Sequence, residues 1–238
     1  MSAAALRALH VSGDPLILPN AWDAGTARLV ELAGFGAVAT TSSGVAEALG
    51  YEDGERTPVE EMLAAVARIA RAVELPVTAD VEAGYGLDGA ELAQRVVTAG
   101  AVGLNLEDSD HANHPALVPV ERQAARIAHV KQGADLVLNA RIDVHLRGGT
   151  TAEALERARA YREAGADCVY PIGVTDEATI EAFVELGVPV NVLLGPGAPT
   201  IARLAGLGVA RISLGHLLHG EMMEALARRL GDLAPPRR

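Results

Sequence analysis

Leu75-Pro76-Val77-Thr78-Ala79-Asp80-Val81-Glu82-Ala83-Gly84-Tyr85-Gly86 is the stretch on which the fold turns. Leu75 to Ala79 reads as a short buried strand, and Gly84-Tyr85-Gly86 as a tight turn into a helix. Asp80 and Glu82 stand where strand gives way to turn. Side chains two apart on a strand share a side, so both carboxylates are expected to project together from its C-terminal end. Two neighbouring acids repel unless a cation or a shared proton lies between them. That points to a divalent metal.

Outward from this stretch the same unit recurs: an apolar run, a polar or Gly-containing break, then an amphipathic helix closed by Gly. Strand patterns occupy 16–22, 37–43, 75–82, 101–108, 136–143, 168–173, 189–195 and 210–215. The clearest helical patterns fill 58–74, 88–100, 119–133, 151–165, 175–187 and 216–231. Several end in Ala-Gly or Leu-Gly (Ala99-Gly100, Ala164-Gly165, Leu186-Gly187), as helix C-termini do. Eight strands, nearly continuous in apolar residues and alternating with helices, imply a parallel sheet covered by helices. Eight is also the number that closes a barrel. The expected fold is therefore α/β, a single-domain (β/α)8 TIM barrel over 1–238, with a short leading helix at 2–12 and a frayed tail at 232–238. An open doubly wound sheet is the alternative.

The 238 residues are half hydrophobic and carry a net charge of −11. Nucleic acid is not an expected partner, because phosphate binding needs a basic face. The single cysteine, Cys168, excludes an intrachain disulfide and a cysteine zinc cluster and suits a reducing, cytoplasmic setting. No apolar run is long enough to span a bilayer, and the N-terminus lacks a signal-peptide pattern, so no membrane association is expected.

Barrel chemistry sits at the C-terminal ends of the strands. Those ends carry Trp22-Asp23, Thr41-Ser42-Ser43-Gly44, Asp80, Glu82, Glu107-Asp108, Arg141, Asp143, Pro171, Asn191 and His216; Asp53 lies in a long loop that could fold over the mouth. Asp53, Asp80, Glu82 and Glu107 suit a hard cation such as Mg²⁺, which takes few direct carboxylates and keeps several waters. Each acid could instead cap the following helix, the reading preferred for Asp108 and Asp143. Arg141 offers a fork that fits a carboxylate, from the substrate or from a neighbouring strand-end acid. Thr41-Ser42-Ser43-Gly44 could hold a carboxylate or enolate oxygen through hydroxyls and backbone N–H groups. In the loop after the fourth strand, His111 and His114 could act as acid or base on a lid, or be solvated polar residues.

Absences narrow the chemistry. Lys131, the only lysine, sits near a helix end, which argues against Schiff-base and pyridoxal-phosphate enzymes. Cys168 begins a buried strand and is a poor nucleophile there. Gly84-Tyr85-Gly86 lacks the dinucleotide fingerprint. Metal-assisted chemistry on a small oxygenated acid remains.

Taken together, Pro19-Asn20-Ala21-Trp22-Asp23, Thr41 to Ala46 with Leu49-Gly50 and Asp53, Ala79-Asp80 through Gly86, Leu106-Glu107-Asp108, Asn139-Ala140-Arg141 and Asn191 are a specific combination. Over nearly its full barrel the chain resembles the isocitrate lyase/phosphoenolpyruvate mutase superfamily. The resemblance implies a (β/α)8 barrel, a homo-oligomer (tetramer or dimer) and a Mg²⁺ ion, with Mn²⁺ as a possible substitute, that binds a 2-oxo acid or its enolate. It makes Asp80 the direct metal ligand, with Asp53, Glu82 and Glu107 holding the metal's waters. It makes Thr41, Ser42 and Ser43 the cradle for the substrate carboxylate and Arg141 its charged partner; Trp22, Gly44 and Asn191 are further expected substrate contacts, and Arg141, Glu107, His111 and His114 the expected catalytic residues. Isocitrate and methylisocitrate lyases carry Lys-(Lys/Arg)-Cys-Gly-His in the lid. Here the lid reads Asp108-Ser109-Asp110-His111-Ala112-Asn113-His114-Pro115, with neither Cys nor Lys, which argues against efficient isocitrate lyase activity. The expected activity is Mg²⁺-dependent C–C cleavage of a 2-oxo or 2-hydroxy di- or tricarboxylate through a metal-stabilised enolate. The alternatives are P–C chemistry on phosphonopyruvate or phosphoenolpyruvate, and a catalytically weak barrel that binds a 2-oxo acid.

Overall fold

Proline cannot donate to a strand ladder, and Pro19 splits the first barrel strand in two. In the computed structural model, which describes residues 1–113 and 115–234, β1 (Leu16–Leu18) pairs with β9 (Arg211–Ser213), while β2 (Asn20–Ala21) pairs with β3 (Val38–Thr40). The Pro19 carbonyl still accepts from the Ala39 amide, so the ladder bends without opening. From β3 the parallel sheet runs through β4 (Val77–Asp80), β5 (Gly103–Glu107), β6 (Val137–Ile142) and β7 (Cys168–Pro171). A parallel bridge between Val169 and Val190 leads to β8 (Asn191–Leu193), which pairs with β9. The circuit is closed. This is the (β/α)8 barrel, and the open sheet is excluded.

The strands alternate rather than run continuously apolar, contrary to expectation. Val77 and Ala79, Leu104 and Leu106, Leu138 and Ala140, Val169, Val192 and Ile212 join the main core cluster. The alternate residues Thr78, Asn105, Asn139, Asn191 and Arg211 are also buried, and the two-residue period sends them into the barrel. The barrel interior is therefore largely polar. Only its base is apolar: α1 (Ala3–Ala8) lays the wholly buried Leu6 against Leu16, Leu18, Ala37, Ala39 and Val137. This short helix replaces the one expected at 2–12.

The barrel helices are α2 (Ala24–Leu32), α3 (Ser42–Leu49) with α4 (Val59–Ala70), α5 (Gly89–Thr98), α6 (Val120–Gly133), α7 (Thr151–Glu163), α8 (Glu177–Val184), α9 (Ile201–Gly206) and α10 (Leu217–Leu233). Gly100 and Gly165, just past α5 and α7, take φ of 89° and 101°, the left-handed conformation that ends a helix at little cost in glycine. α10 includes Asp232 and Leu233, part of the expected tail, while 235–238 lie outside the described residues. Most strands are shorter than their apolar runs because pairing stops where the chain turns into the mouth loops.

Candidate active site

Two of those early strand ends reshape the site. β3 stops at Thr40, and Ser42-Ser43-Gly44 form the first turn of α3, not a loop; Thr41 caps it, its Oγ1 accepting from the Gly44 amide. A Cβ at Gly44 would stand 2.8 Å from Thr41 Cγ2 and 3.3 Å from Trp22 Cβ, so glycine permits the close approach. Ser42 donates from both its amide (3.1 Å) and its hydroxyl (3.0 Å) to Asp80 Oδ2. The serine that was expected to face substrate thus aims the acid.

β4 stops at Asp80, so Glu82 is not the strand neighbour that the spacing implied. Its φ is 50°, and it reaches the mouth through a left-handed turn. Among the described residues, the non-glycine residues with positive φ are Glu55 (59°), Glu82 (50°) and Tyr85 (56°). They hold one another: the Glu55 amide and the Tyr85 hydroxyl each donate to Glu82 at 2.6 Å, and the Tyr85 amide donates to Glu55. Strained backbone gathered at one edge of a mouth is a mark of function.

The mouth holds two adjoining cavities, of about 310 and 410 Å³, that share Ser42, Asp53 and Arg141. The first also exposes Thr41, Ser43, Asp80, Asn105, Tyr170 and Ser213; the second exposes Glu82, Glu107, His111 and Asp143. The four expected acids therefore line two cavities that meet at Ser42, Asp53 and Arg141. Burial pushes Glu82 up to about 7, with the charges of Asp53 and Asp80 adding to the shift and its hydrogen bonds opposing it. Desolvation and Asp80 raise Asp53. Burial raises Glu107 too, against the pull of Arg141 and His111. Acids held above their ordinary values at a strand-end mouth lack positive charge.

Arg141 supplies some of it. Nη1 lies 2.6 Å from Glu107, and Nε and Nη2 bond the two Asp143 oxygens at 2.7 and 2.9 Å. Burial works against its charge but these acids outweigh it, so its pKa is raised. The fork that was read as a substrate clamp is engaged by neighbouring acids while still lining both cavities. His111 Nε2 sits 2.7 Å from Glu107 Oε1, and this contact raises the imidazole's pKa. His114 lies outside the described residues.

Other expected residues stand further back. Trp22 packs edge-on against His219 (4.8 Å between rings) beside Val45 and Met62, behind α3 and off the cavity lining. Asn191 is wholly buried beneath the mouth and donates to Ser213, which lines it. Asp108 accepts from the Asp143 amide, Tyr161 and Arg157, a structural tie between the lid base and α7. Cys168 is buried with its thiol pushed up to about 12, and Lys131 pairs with Asp167 at 2.6 Å. Asn105, Tyr170, Ser213 and Arg211 escaped the sequence reading. Two of them carried a signal: Asn105 lies two residues before Glu107, and Arg211 two before Ser213, on the same inward face.

Mg²⁺ fits this donor set. Among the described residues no three His, Cys, Asp or Glu side chains converge as a direct cage, which disfavours a structural zinc site. Mg²⁺ needs only one or two direct carboxylates and keeps its waters. Asp80 Oδ2 is occupied by Ser42, and Oδ1 has no hydrogen-bond partner among the described residues. Asp53 lines the same cavity as Asp80, and Glu82 and Glu107 line the one adjoining it.

A family model for phosphoenolpyruvate phosphomutase matches residues 6–234, and the chain belongs to this family, within the isocitrate lyase/phosphoenolpyruvate mutase superfamily. A Burkholderia cenocepacia protein, provisionally named a phosphonomutase, superposes with a TM-score of 0.90 at 42% identity over 97% of this chain and 99% of that one. Phosphonopyruvate hydrolase in complex with oxalate and Mg²⁺ superposes with a TM-score of 0.82 at 26% identity, covering 98% and 88%. The 2-methylisocitrate lyase of Bacillus subtilis is 31% identical, covering 80% of this chain and 66% of the relative. The oxaloacetate decarboxylase of Pseudomonas entomophila is 30% identical, covering 93% and 81%. The relatives are lyases, mutases and hydrolases of small carboxylates. No helix among the described residues is long and apolar enough to cross a membrane.

Proposed function

We propose that the chain is a Mg²⁺-dependent enzyme that breaks a C–C bond in a small 2-oxo or 2-hydroxy di- or tricarboxylate, with oxaloacetate decarboxylation the simplest case. One observation carries this reading: Asp80, with one oxygen free of hydrogen bonds among the described residues, stands near three further acids in a mouth where Arg141 and His111 contact Glu107. Asp80 would hold the ion directly, and Asp53, Glu82 and Glu107 through its waters. When bound, Mg²⁺ supplies Lewis-acid stabilisation of charge on the 2-oxo oxygen.

The chain's own groups do the rest. The Ser43 amide, in the first turn of α3 and on the cavity lining, meets a carboxylate at the helix's positive end. Arg141, on the shared wall of both cavities, adds positive charge there. In decarboxylation the C–C electron pair passes into the 2-oxo group as CO2 leaves, and the third carbon then takes a proton. That route needs no acid to assist the leaving group, in keeping with a lid that lacks cysteine. His111, whose pKa Glu107 raises, stands over the cavity as the donor.

P–C chemistry on phosphonopyruvate or phosphoenolpyruvate is the second reading, favoured by the 42% identity to the Burkholderia cenocepacia protein. The protein is also read as a homo-oligomer, because Met222, Met223, Leu226, Leu230 and Leu233 leave an apolar face of α10 exposed. The decisive experiment is pyruvate release from oxaloacetate with Mg²⁺, wild type against Asp80→Ala, with free Mg²⁺ as background. A loss on the order of a thousandfold, about 4 kcal/mol of transition-state stabilisation, is expected. Equal turnover by the variant would sink the metal-site reading. Activity on phosphonopyruvate alone would select the second.

A further inference from the structure

Asn105 stands on β5 at the floor of the smaller mouth cavity, the register partner of Asp80 on β4 and of Asn139 on β6. The two ends of an asparagine amide look alike in electron density, but the chemistry here decides between them. Arg211 crosses the barrel from β9, wholly buried, and places Nη2 3.0 Å from Asn105 Oδ1. Asn139 Nδ2 donates to the same oxygen at 2.9 Å. A guanidinium has donors and no acceptor. Reversing the amide would set an NH2 group against it.

Arg211 enforces this orientation because it has nothing else. Its Nε and Nη1 have no partner among the described residues, and Asn105 Oδ1 is its one side-chain acceptor there. A buried guanidinium deprived of that acceptor would be left uncompensated, which is far worse than losing an exposed hydrogen bond. Asn105 Oδ1 is thus tied downward by two donors. Its Nδ2 has no partner among the described residues and is left on the cavity side, next to Asp80.

We propose that Asn105 is a substrate-binding residue whose Nδ2–H2 donates to an anionic oxygen, carboxylate or enolate, of the bound small acid. Arg211 is the positioning residue that fixes this polarity from below. The inference rests on the mouth being the substrate site. It gives an acid-lined cavity a neutral donor that no pH change removes, on the face where a ligand's negative charge would otherwise meet Asp80.

Asn105→Asp separates this role from a structural one. The new carboxylate keeps the shape and gives Arg211 and Asn139 a stronger acceptor, so the melting temperature should hold or rise. The cavity-facing atom, however, becomes an acceptor. Titration calorimetry with oxalate in MgCl2 should then show affinity weakened by about tenfold or more, with Mg²⁺ alone binding no more weakly than in wild type. A merely structural Asn105 predicts unchanged oxalate affinity, and that result would overturn the proposal. Arg211→Met should also weaken oxalate binding, by freeing the amide to turn; unchanged binding would remove Arg211 from the role. If wild type itself binds no oxalate with Mg²⁺, the functional reading fails and the donor role falls with it. The thermal stabilities of Asn105→Asp, Arg211→Met and the double variant still test the lock, which is overturned if the two effects simply add.

Discussion

At the base of the barrel Asp167 accepts from Arg7 Nε at 2.8 Å, Lys131 Nζ at 2.6 Å and the Leu138 amide at 2.8 Å. At the mouth Asp53, Asp80, Glu82 and Glu107 line two adjoining cavities, and Arg141 and His111 contact Glu107 there. Burial alone would raise Asp167, but its bonds from Lys131, Leu138 and Arg7 outweigh that and hold it below the usual carboxylate range. Burial also acts on Glu82, and there it wins. The backbone follows the same division: the left-handed glutamates and tyrosine lie at the mouth, whereas the base is closed by Leu6 on a short unstrained helix. One end is built for stability and the other holds charge in reserve for a ligand, as in other barrels.

The sharpest way to break this comparison is Asp80→Ala. It should remove turnover yet change stability by no more than about 1 kcal/mol, because the lost Ser42 bonds are offset by relief of like-charge repulsion. A large fall in melting temperature would show that the mouth also carries stability. Next comes Leu6→Ala, expected to cost about 3 kcal/mol in chemical denaturation while kcat/KM of the folded protein stays the same. Loss of activity at full folding would deny that base and mouth are separable.

Opposite pH slopes follow from the two kinds of acid. Asp167, depressed on folding, contributes stability that is present above its ordinary value near 3.8 and lost as pH falls through its lower folded value. Glu82, raised on folding, stays protonated in the metal-free protein between its ordinary 4.5 and about 7 while the unfolded chain ionises, so its contribution declines as pH rises through that window. Asp167→Asn should flatten the acid limb and Glu82→Gln the neutral one, read by denaturation across pH. The same slope in both variants would refute the distinction. The smallest effect is expected from Glu177→Ala, which breaks the solvent-exposed pair with Arg203; no measurable change in melting temperature should result, since exposed pairs add little.

Much of the barrel was legible because the signals are local. Gly100 and Gly165 end helices wherever such sequences fold, and the eight apolar runs mark strands of near-correct position. Asp80, Glu107 and Arg141 were legible as mouth residues for the same reason, since they fall at the C-terminal ends of strands. Spacing alone places Glu82 on the strand, whereas the turn held by Glu55 and Tyr85 is what brings it to the mouth.

Trp22, an expected substrate contact, packs its ring against His219, which is 197 residues distant in sequence. The polarity of the Asn105 amide depends on Arg211, 106 residues along the chain. Such pairings exist only once the barrel closes, and no local pattern encodes them. Element order, parallel strands and the set of acids at the mouth were determined by sequence alone, because periodicity and strand-end chemistry are properties of short segments. Which acids are raised and which depressed, which guanidinium is spoken for and which amide hydrogen faces the cavity were decided by tertiary structure. Those depend on desolvation and on contacts that closure alone creates.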